Sequence, residues 1–68
     1  MTLKQLRIDL GWNRKMLARE AKVDPAIITR AEKGLSVSAP SAKKIADALS
    51  RGYGKEIKVS EIEGLNVE

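Results

Sequence analysis

Residues Arg14 to Gly34 read RKMLAREAKVDPAIITRAEKG, two helix-length runs separated only by Lys22, Val23 and Asp24. Asn13 stands where a side-chain oxygen can accept the orphan N–H groups at the start of the first run. Trp12 precedes it and can reach forward to Leu17 as a hydrophobic staple. These features predict a helix over about residues 14–21. Asp24-Pro25 is a stronger start signal, because Asp caps a helix and Pro is preset for its first position. The second helix is expected over about 25–33, with Gly34 as its stop.

A break this short does not let two helices settle into an antiparallel hairpin, but it suffices for a steep turn, which is the helix-turn-helix arrangement. Small Ala18 allows close approach, Val23 fills the turn, and Ile28 with Ala31 packs the second helix onto the first. The outer face then consists of Pro25, Ala26, Ile27, Thr29, Arg30 and Lys33.

Outward from this pair, Leu3, Leu6 and Leu10 recur with the period of a one-faced helix, predicted over about 2–10 and ended by Gly11. After the loop Leu35-Ser36-Val37, Ser38 can cap a fourth helix over about 38–51. Pro40 falls in its first turn, and Ala42, Ile45, Ala46 and Leu49 form its buried face. The two glycines of Arg51-Gly52-Tyr53-Gly54-Lys55 predict a break and a loop. In the last segment a short helix over 59–63 that carries Ile62 inward is favoured, although Ile57 and Val59 also alternate like a strand. The whole reads as one domain over residues 1–68, all-α, with 51–68 as a loop followed by an acidic and apolar tail.

The chain of 68 residues has neither cysteine nor histidine. That removes the usual zinc ligands, the commonest general base and the thiolate nucleophile together. The carboxylates are scattered, so no catalytic residue, no metal site and no cofactor is expected. No apolar run approaches the roughly 20 residues of a membrane span, and no leader pattern opens the chain. It reads as soluble, unprocessed and cytoplasmic, with no membrane partner. Residues 1–55 carry twelve basic and five acidic side chains, whereas 56–68 set Lys58 against Glu56, Glu61, Glu63 and Glu68. A basic body suits a polyanion; an ordinary solvated surface is the alternative. Trp12 and Tyr53 are the sole aromatics, too few for the stacking platform of a single-strand binder. Trp12 is expected in the core, and Tyr53 either as a packing anchor or at an interface.

Through LRIDLGWNRKMLA (Leu6–Ala18), AIITRAEKG (Ala26–Gly34) and AKKIADAL (Ala42–Leu49), in this order and spacing, the chain resembles the lambda-repressor-like, Cro/CI-type (XRE) helix-turn-helix family over about residues 2–50. The resemblance implies a small five-helix bundle, prokaryotic, usually homodimeric, that binds double-stranded DNA and most often represses transcription. Carried onto this chain, the base-contacting positions are Pro25, Ala26, Thr29 and Arg30, with Ile27 alongside. Arg30 alone can bond guanine O6 and N7 bidentately, while Ala26, Ile27 and the Thr29 methyl can meet thymine methyls. The alternative for Arg30 is a solvated helix charge. Asn13, Arg14 and Lys15 bring free N–H groups and two cations to one helix start, which suits a DNA phosphate. Lys33, Gly34, Ser36, Ser38, Ser41 and Lys43 would form a second phosphate clamp, against the alternative of a charged, solvated cap. Arg7 and Glu32 match a pair that the family joins as a partly buried ion pair.

Three departures stand out. Arg14 replaces the family's usual Gln, Lys22 replaces the usual turn glycine, and Pro25-Ala26 replaces a polar base-reading pair. Sequence readout should therefore lean on Thr29, Arg30 and DNA shape. The step from Leu49 to Val59 is also longer than usual. Tyr53, Ile57, Val59, Ile62, Leu65 and Val67 are more apolar residues than a short terminal segment needs, which suggests a two-fold interface. Closure of the monomer's own core is the other use for Ile57, Val59 and Ile62. The leading reading is thus a homodimeric DNA-binding repressor of phage, mobile-element or autoregulatory type. The alternative is a protein-binding adaptor on the same fold, such as an antitoxin or a transcription cofactor.

Overall fold

The computed structural model describes all residues, 1–68. Its elements in chain order are α1 (Leu3–Asp9), α2 (Arg14–Ala21), α3 (Pro25–Glu32), β1 (Ser36–Val37), α4 (Ala39–Tyr53), a single 3₁₀ turn (Val59–Glu61) and β2 (Asn66–Val67).

Each α-helix starts on a side chain that accepts an otherwise orphaned N–H. Thr2 Oγ1 accepts from Gln5 N at 3.2 Å while Gln5 Oε1 accepts from Thr2 N at 2.9 Å, a complete capping box. Asn13 Oδ1 accepts from Met16 N at 2.7 Å, Asp24 Oδ1 from Ala26 N at 2.8 Å, and Ser38 Oγ from Ser41 N at 3.3 Å. The polar residues before each apolar run thereby set where α1 to α4 begin.

Leu3, Leu17, Ile28, Ile45 and Leu49 are the large side chains fully enclosed at the centre. Burying each is worth about 1.5–3 kcal/mol. Around them Ala18, Ala21, Ala31, Ala42, Ala46 and Ala48 are buried as well. With no side chain beyond a methyl group, they let helix axes approach closely, so α3 packs tightly against α2 and α2 against α4.

The turn between α2 and α3 depends on Lys22, the sole non-glycine residue with positive φ (φ 58°, ψ 43°). Its N–H donates to Arg19 O at 3.2 Å and the Val23 N–H donates to Ala18 O at 3.0 Å. This pair of bonds is a Schellman cap, which needs a left-handed residue at its corner. A lysine held there is strained by roughly 1–2 kcal/mol.

Three expectations are corrected. The glycines of Arg51–Lys55 do not break the fourth helix, which continues through Tyr53 and stops on Gly54 at φ 70°. Gly52 is a packing position: a Cβ there would lie 2.7 Å from Leu10 Cδ1 and 3.0 Å from the Trp12 ring. The predicted fifth helix over 59–63 is only the 3₁₀ turn, so the α-helices number four. Ile62 is already extended, and Gly64 at φ 76° turns the chain into β2. Neither Ile57 nor Val59 is in a strand; β2 instead pairs in parallel with β1, Ser36 opposite Asn66 and Val37 opposite Val67.

The tail is bound to the body throughout. Ile57 N donates to Ser50 Oγ at 2.8 Å, Glu63 N to Met1 O at 3.0 Å, and Glu68 N to Val37 O at 3.0 Å. Ile57 and Ile62 enter the core. Lys22→Gly should therefore raise the unfolding free energy by about 1 kcal/mol, through relief of the left-handed strain partly offset by glycine's extra freedom when unfolded. Urea melts should show a higher midpoint with an unchanged slope.

Candidate nucleic-acid interface

The carboxylate of Glu32, at the end of α3, lies between two arginines. Arg7 Nε of α1 donates to Glu32 Oε2 at 2.6 Å and Arg7 Nη2 to Oε1 at 3.3 Å, while Arg7 Nη1 donates to Trp12 O at 3.0 Å. The expected Arg7–Glu32 pair is thus formed. Arg14 Nε, at the first residue of α2, adds a third bond to Oε1 at 3.0 Å. The Glu32 side chain is 3% exposed, that of Arg7 9% and that of Arg14 51%. Burial alone would raise the Glu32 pKa, but hydrogen bonds from Arg7 and Arg14 and their positive charges outweigh it and hold the carboxyl below its ordinary value.

The outer face of α3 is exposed only in part. Pro25, Ala26 and Arg30 are exposed, Ile27 and Thr29 half-buried, with Ile27 packed against the core from outside. Two of these side chains are engaged. Thr29 Oγ1 donates to Pro25 O at 3.3 Å, and Arg30 Nη2 to Ser36 O at 2.9 Å. Arg30 thus fastens α3 to β1.

Two groups of cations and polar side chains lie on the segments that flank α3 in the chain, the start of α2 and the loop into α4. Arg14 and Lys15 are exposed at the start of α2, which has no acidic residue in its first turn. The Arg14–Glu32 bond ties that start to the last turn of α3. On the other side, the loop after α3 leads through Gly34 and Ser36 to Ser38, whose Oγ donates to Ser41 Oγ at 2.9 Å. Ser38 and Ser41 therefore first serve the cap of α4. Lys43 is exposed and pairs with Asp47 one turn on, at 3.1 Å. Lys33 and Gly34 are exposed and line a groove with Thr2, Lys4, Glu63 and Gly64, so the acidic tail runs beside this second cluster.

The tail residues suggested for a dimer interface divide. Ile57 and Ile62 are 5% and 4% exposed, within the monomer's core. Tyr53 OH donates to Leu6 O at 2.8 Å, filling a carbonyl at the end of α1 that has no helical partner. These three are internal anchors, because the short α-helices leave a core that only the tail can close. Val59, Leu65 and Val67 pack against that core while staying partly exposed. The bonds of Arg14 to Glu32, Arg30 to Ser36 O and Arg51 to Glu20 O (2.6 Å) had no signal in the sequence, since arginine reach is set by the tertiary fold.

An exposed helix held on a tight left-handed turn, with cationic and donor-rich helix starts beside it, defines a helix-turn-helix nucleic-acid-binding domain. A family model described as helix-turn-helix matches residues 3–53. The chain belongs to that family, in its Cro/CI-type (XRE) branch, a class of DNA-binding transcription regulators rather than of enzymes. Double-stranded DNA is the ligand of the class. No curated protein and no solved structure matches the chain. No helix is long and apolar enough to cross a membrane.

Removing one partner from a buried ion pair strands the other. Glu32→Gln should lower the unfolding free energy by about 3 kcal/mol at neutral pH. The folded pKa of Glu32 is depressed, so its contribution is present above the ordinary value of 4.5 and is lost as pH falls through the lower folded value. The gap between the variant and the parent should narrow in strong acid. Urea melts at neutral and strongly acidic pH measure both effects.

Proposed function

We propose that this protein is a sequence-specific, homodimeric transcriptional repressor of phage, mobile-element or autoregulatory type, acting in the cytoplasm of a prokaryotic cell. In this reading α3 enters the major groove of duplex DNA. Pro25, Ala26, Ile27, Thr29 and Arg30 face the bases, and Arg30 is the one bidentate donor for guanine. Asn13, Arg14 and Lys15 hold one phosphate, and Lys33, Gly34, Ser36, Ser38, Ser41 and Lys43 hold another.

The observation that carries the proposal is the exposed outer face of α3, flanked by the cationic α2 start through Arg14–Glu32 and by the α4-leading loop through Arg30–Ser36. Arg14, which shares the Glu32 carboxylate with Arg7, and Lys15, which has no ion-pair partner, leave surplus positive charge at the start of α2, where the helix dipole disfavours it. An anion brought to that point offsets it. Self-association would use the partly exposed Val59, Leu65 and Val67, and a two-fold pair of α3 helices would then meet half-sites about one helical turn apart.

The adaptor reading keeps one supporting observation: Pro25 and Ala26 offer no side-chain hydrogen bond, and Arg30 is engaged with Ser36 O. The two readings separate in fluorescence anisotropy on duplex DNA from upstream of the protein's own gene and on scrambled duplex, across a salt series, for the parent and Arg30→Ala. A repressor binds its own upstream duplex tightly and with a steep salt dependence, and Arg30→Ala costs about 1–3 kcal/mol of the preference. Weak binding to both duplexes, unchanged by the substitution, would exclude autoregulation through Arg30 and point to a protein partner.

A further inference from the structure

We propose that Glu32 is a positioning residue for DNA: its buried carboxylate holds the Arg14 guanidinium by one edge, so that the free Nη1 and Nη2 grip a backbone phosphate at the start of α2. The inference rests on the DNA-binding reading above and deepens it by naming what orients the contact.

The hydrogen-bond inventory separates the two arginines. Arg7 is spent within the fold, with Nε and Nη2 on Glu32 and Nη1 on Trp12 O. Arg14 commits only Nε, to Glu32 Oε1 at 3.0 Å, and neither Nη nitrogen has a partner in the protein. The charge of Glu32 is already met by Arg7 in a two-bond fork, so the fold does not need a second guanidinium there. Two guanidiniums on one carboxylate leave a net positive charge, and it resides on Arg14, whose side chain is 51% exposed against 9% for Arg7.

Position makes the surplus informative. Arg14 is the first residue of α2, where the helix dipole disfavours a cation. No acidic residue in that first turn offsets it, and Lys15 adds a second positive charge. The first N–H groups of α2 have no acceptor within the helix, and Asn13 satisfies only that of Met16. Free N–H groups, the exposed Lys15 and the unpartnered Nη groups of Arg14 therefore belong to the same helix start. A phosphate there would receive two parallel N–H bonds from one planar group.

A long flexible side chain ordinarily loses rotamer freedom when it meets a phosphate. Glu32 removes that loss beforehand by fixing the guanidinium through Nε. Lysine has the same charge but no second edge, so it cannot rest on Glu32 and present a fork to phosphate together. Charge and positioning can thus be pulled apart by substitution at residue 14.

The test measures duplex affinity across a salt series for the parent, Arg14→Lys and Arg14→Gln, with urea melts of all three. Arg14→Lys is expected to bind roughly fivefold more weakly with the salt slope unchanged, the scale of ordering one long side chain. Arg14→Gln is expected to bind more weakly still and to lower the slope by about one. Melting midpoints should stay close to the parent's, since Arg7 still pairs Glu32. Equal affinity of the parent and folded Arg14→Lys would overturn the inference while leaving DNA binding intact. Affinity losses that merely track loss of stability would overturn it too, by making Arg14 a structural partner. A parent that binds no duplex in a salt-dependent way would remove the underlying reading as well, and Arg30→Ala, which alters sequence preference rather than salt slope, keeps the two failures apart.

Discussion

Taking the Glu32 carboxylate out of water costs several kcal/mol unless its oxygens are fully bonded. Here three N–H groups from two helices reach it, and Arg7 also closes onto Trp12 O. Because Arg7 is on α1 and Glu32 on α3, this one charge fixes those two helices relative to one another, and Arg14 adds a bond from α2. Apolar packing alone would tolerate a small slide of α3, since methyl groups have no directional preference. A forked guanidinium-carboxylate pair does not, as its bonds are lost within a fraction of an ångström. The pose of the outer face of α3 is therefore set by electrostatics at its base.

The rest of the architecture accommodates that constraint with small side chains. Six buried alanines surround five large aliphatic residues, so the helices lie close but enclose little apolar volume. A chain of this size is near the limit for a stable core. The tail supplies the missing part: Ile57 and Ile62 fill the opening, Ser50 Oγ receives the Ile57 N–H, and β2 covers the edge of β1. The helical path ends at Ile62, which is extended, and the left-handed Gly64 then turns the chain into β2.

Sequence periodicity and caps placed the first three helices within one residue of their ends and the fourth at its start, because Thr2, Asn13, Asp24 and Ser38 act through bonds only two or three residues long. Lys22, standing where the turn's usual glycine is missing, takes the left-handed conformation that a glycine would adopt there. The errors lie where a local signal competes with a distant contact. Gly52 reads as a helix breaker, yet it lies within α4 and is a glycine where Leu10 and Trp12, some forty residues earlier, leave no room for a Cβ. Two-residue strands have no periodicity to detect, and β1–β2 joins segments about thirty residues apart. For the site, the residue types on α3 and at the start of α2 could be read from the sequence. The partners they take in the folded chain could not, since an arginine's choice of acceptor depends on which carbonyl or carboxylate the fold brings within reach.

Those partners shape how a base could be read. The outer face of α3 begins with Pro25 and Ala26, which have no polar side-chain atom, and its two polar side chains are satisfied internally, Thr29 by Pro25 O and Arg30 by Ser36 O. For Arg30 to bond a guanine edge it must either exchange Ser36 O for the base or keep that bond and use its remaining N–H groups. Exchange substitutes one hydrogen bond for another, so its net gain is small next to the cost of leaving a carbonyl unmet. Retention fixes the guanidinium at low entropic cost and lets one arginine connect α3, β1 and the base. Retention is the favourable course, and it parallels the arrangement at Arg14: in both places an arginine is anchored by part of its fork while the remainder faces outward. On the proposed reading, affinity would come mostly from phosphates and shape, with sequence preference concentrated in one anchored guanidinium.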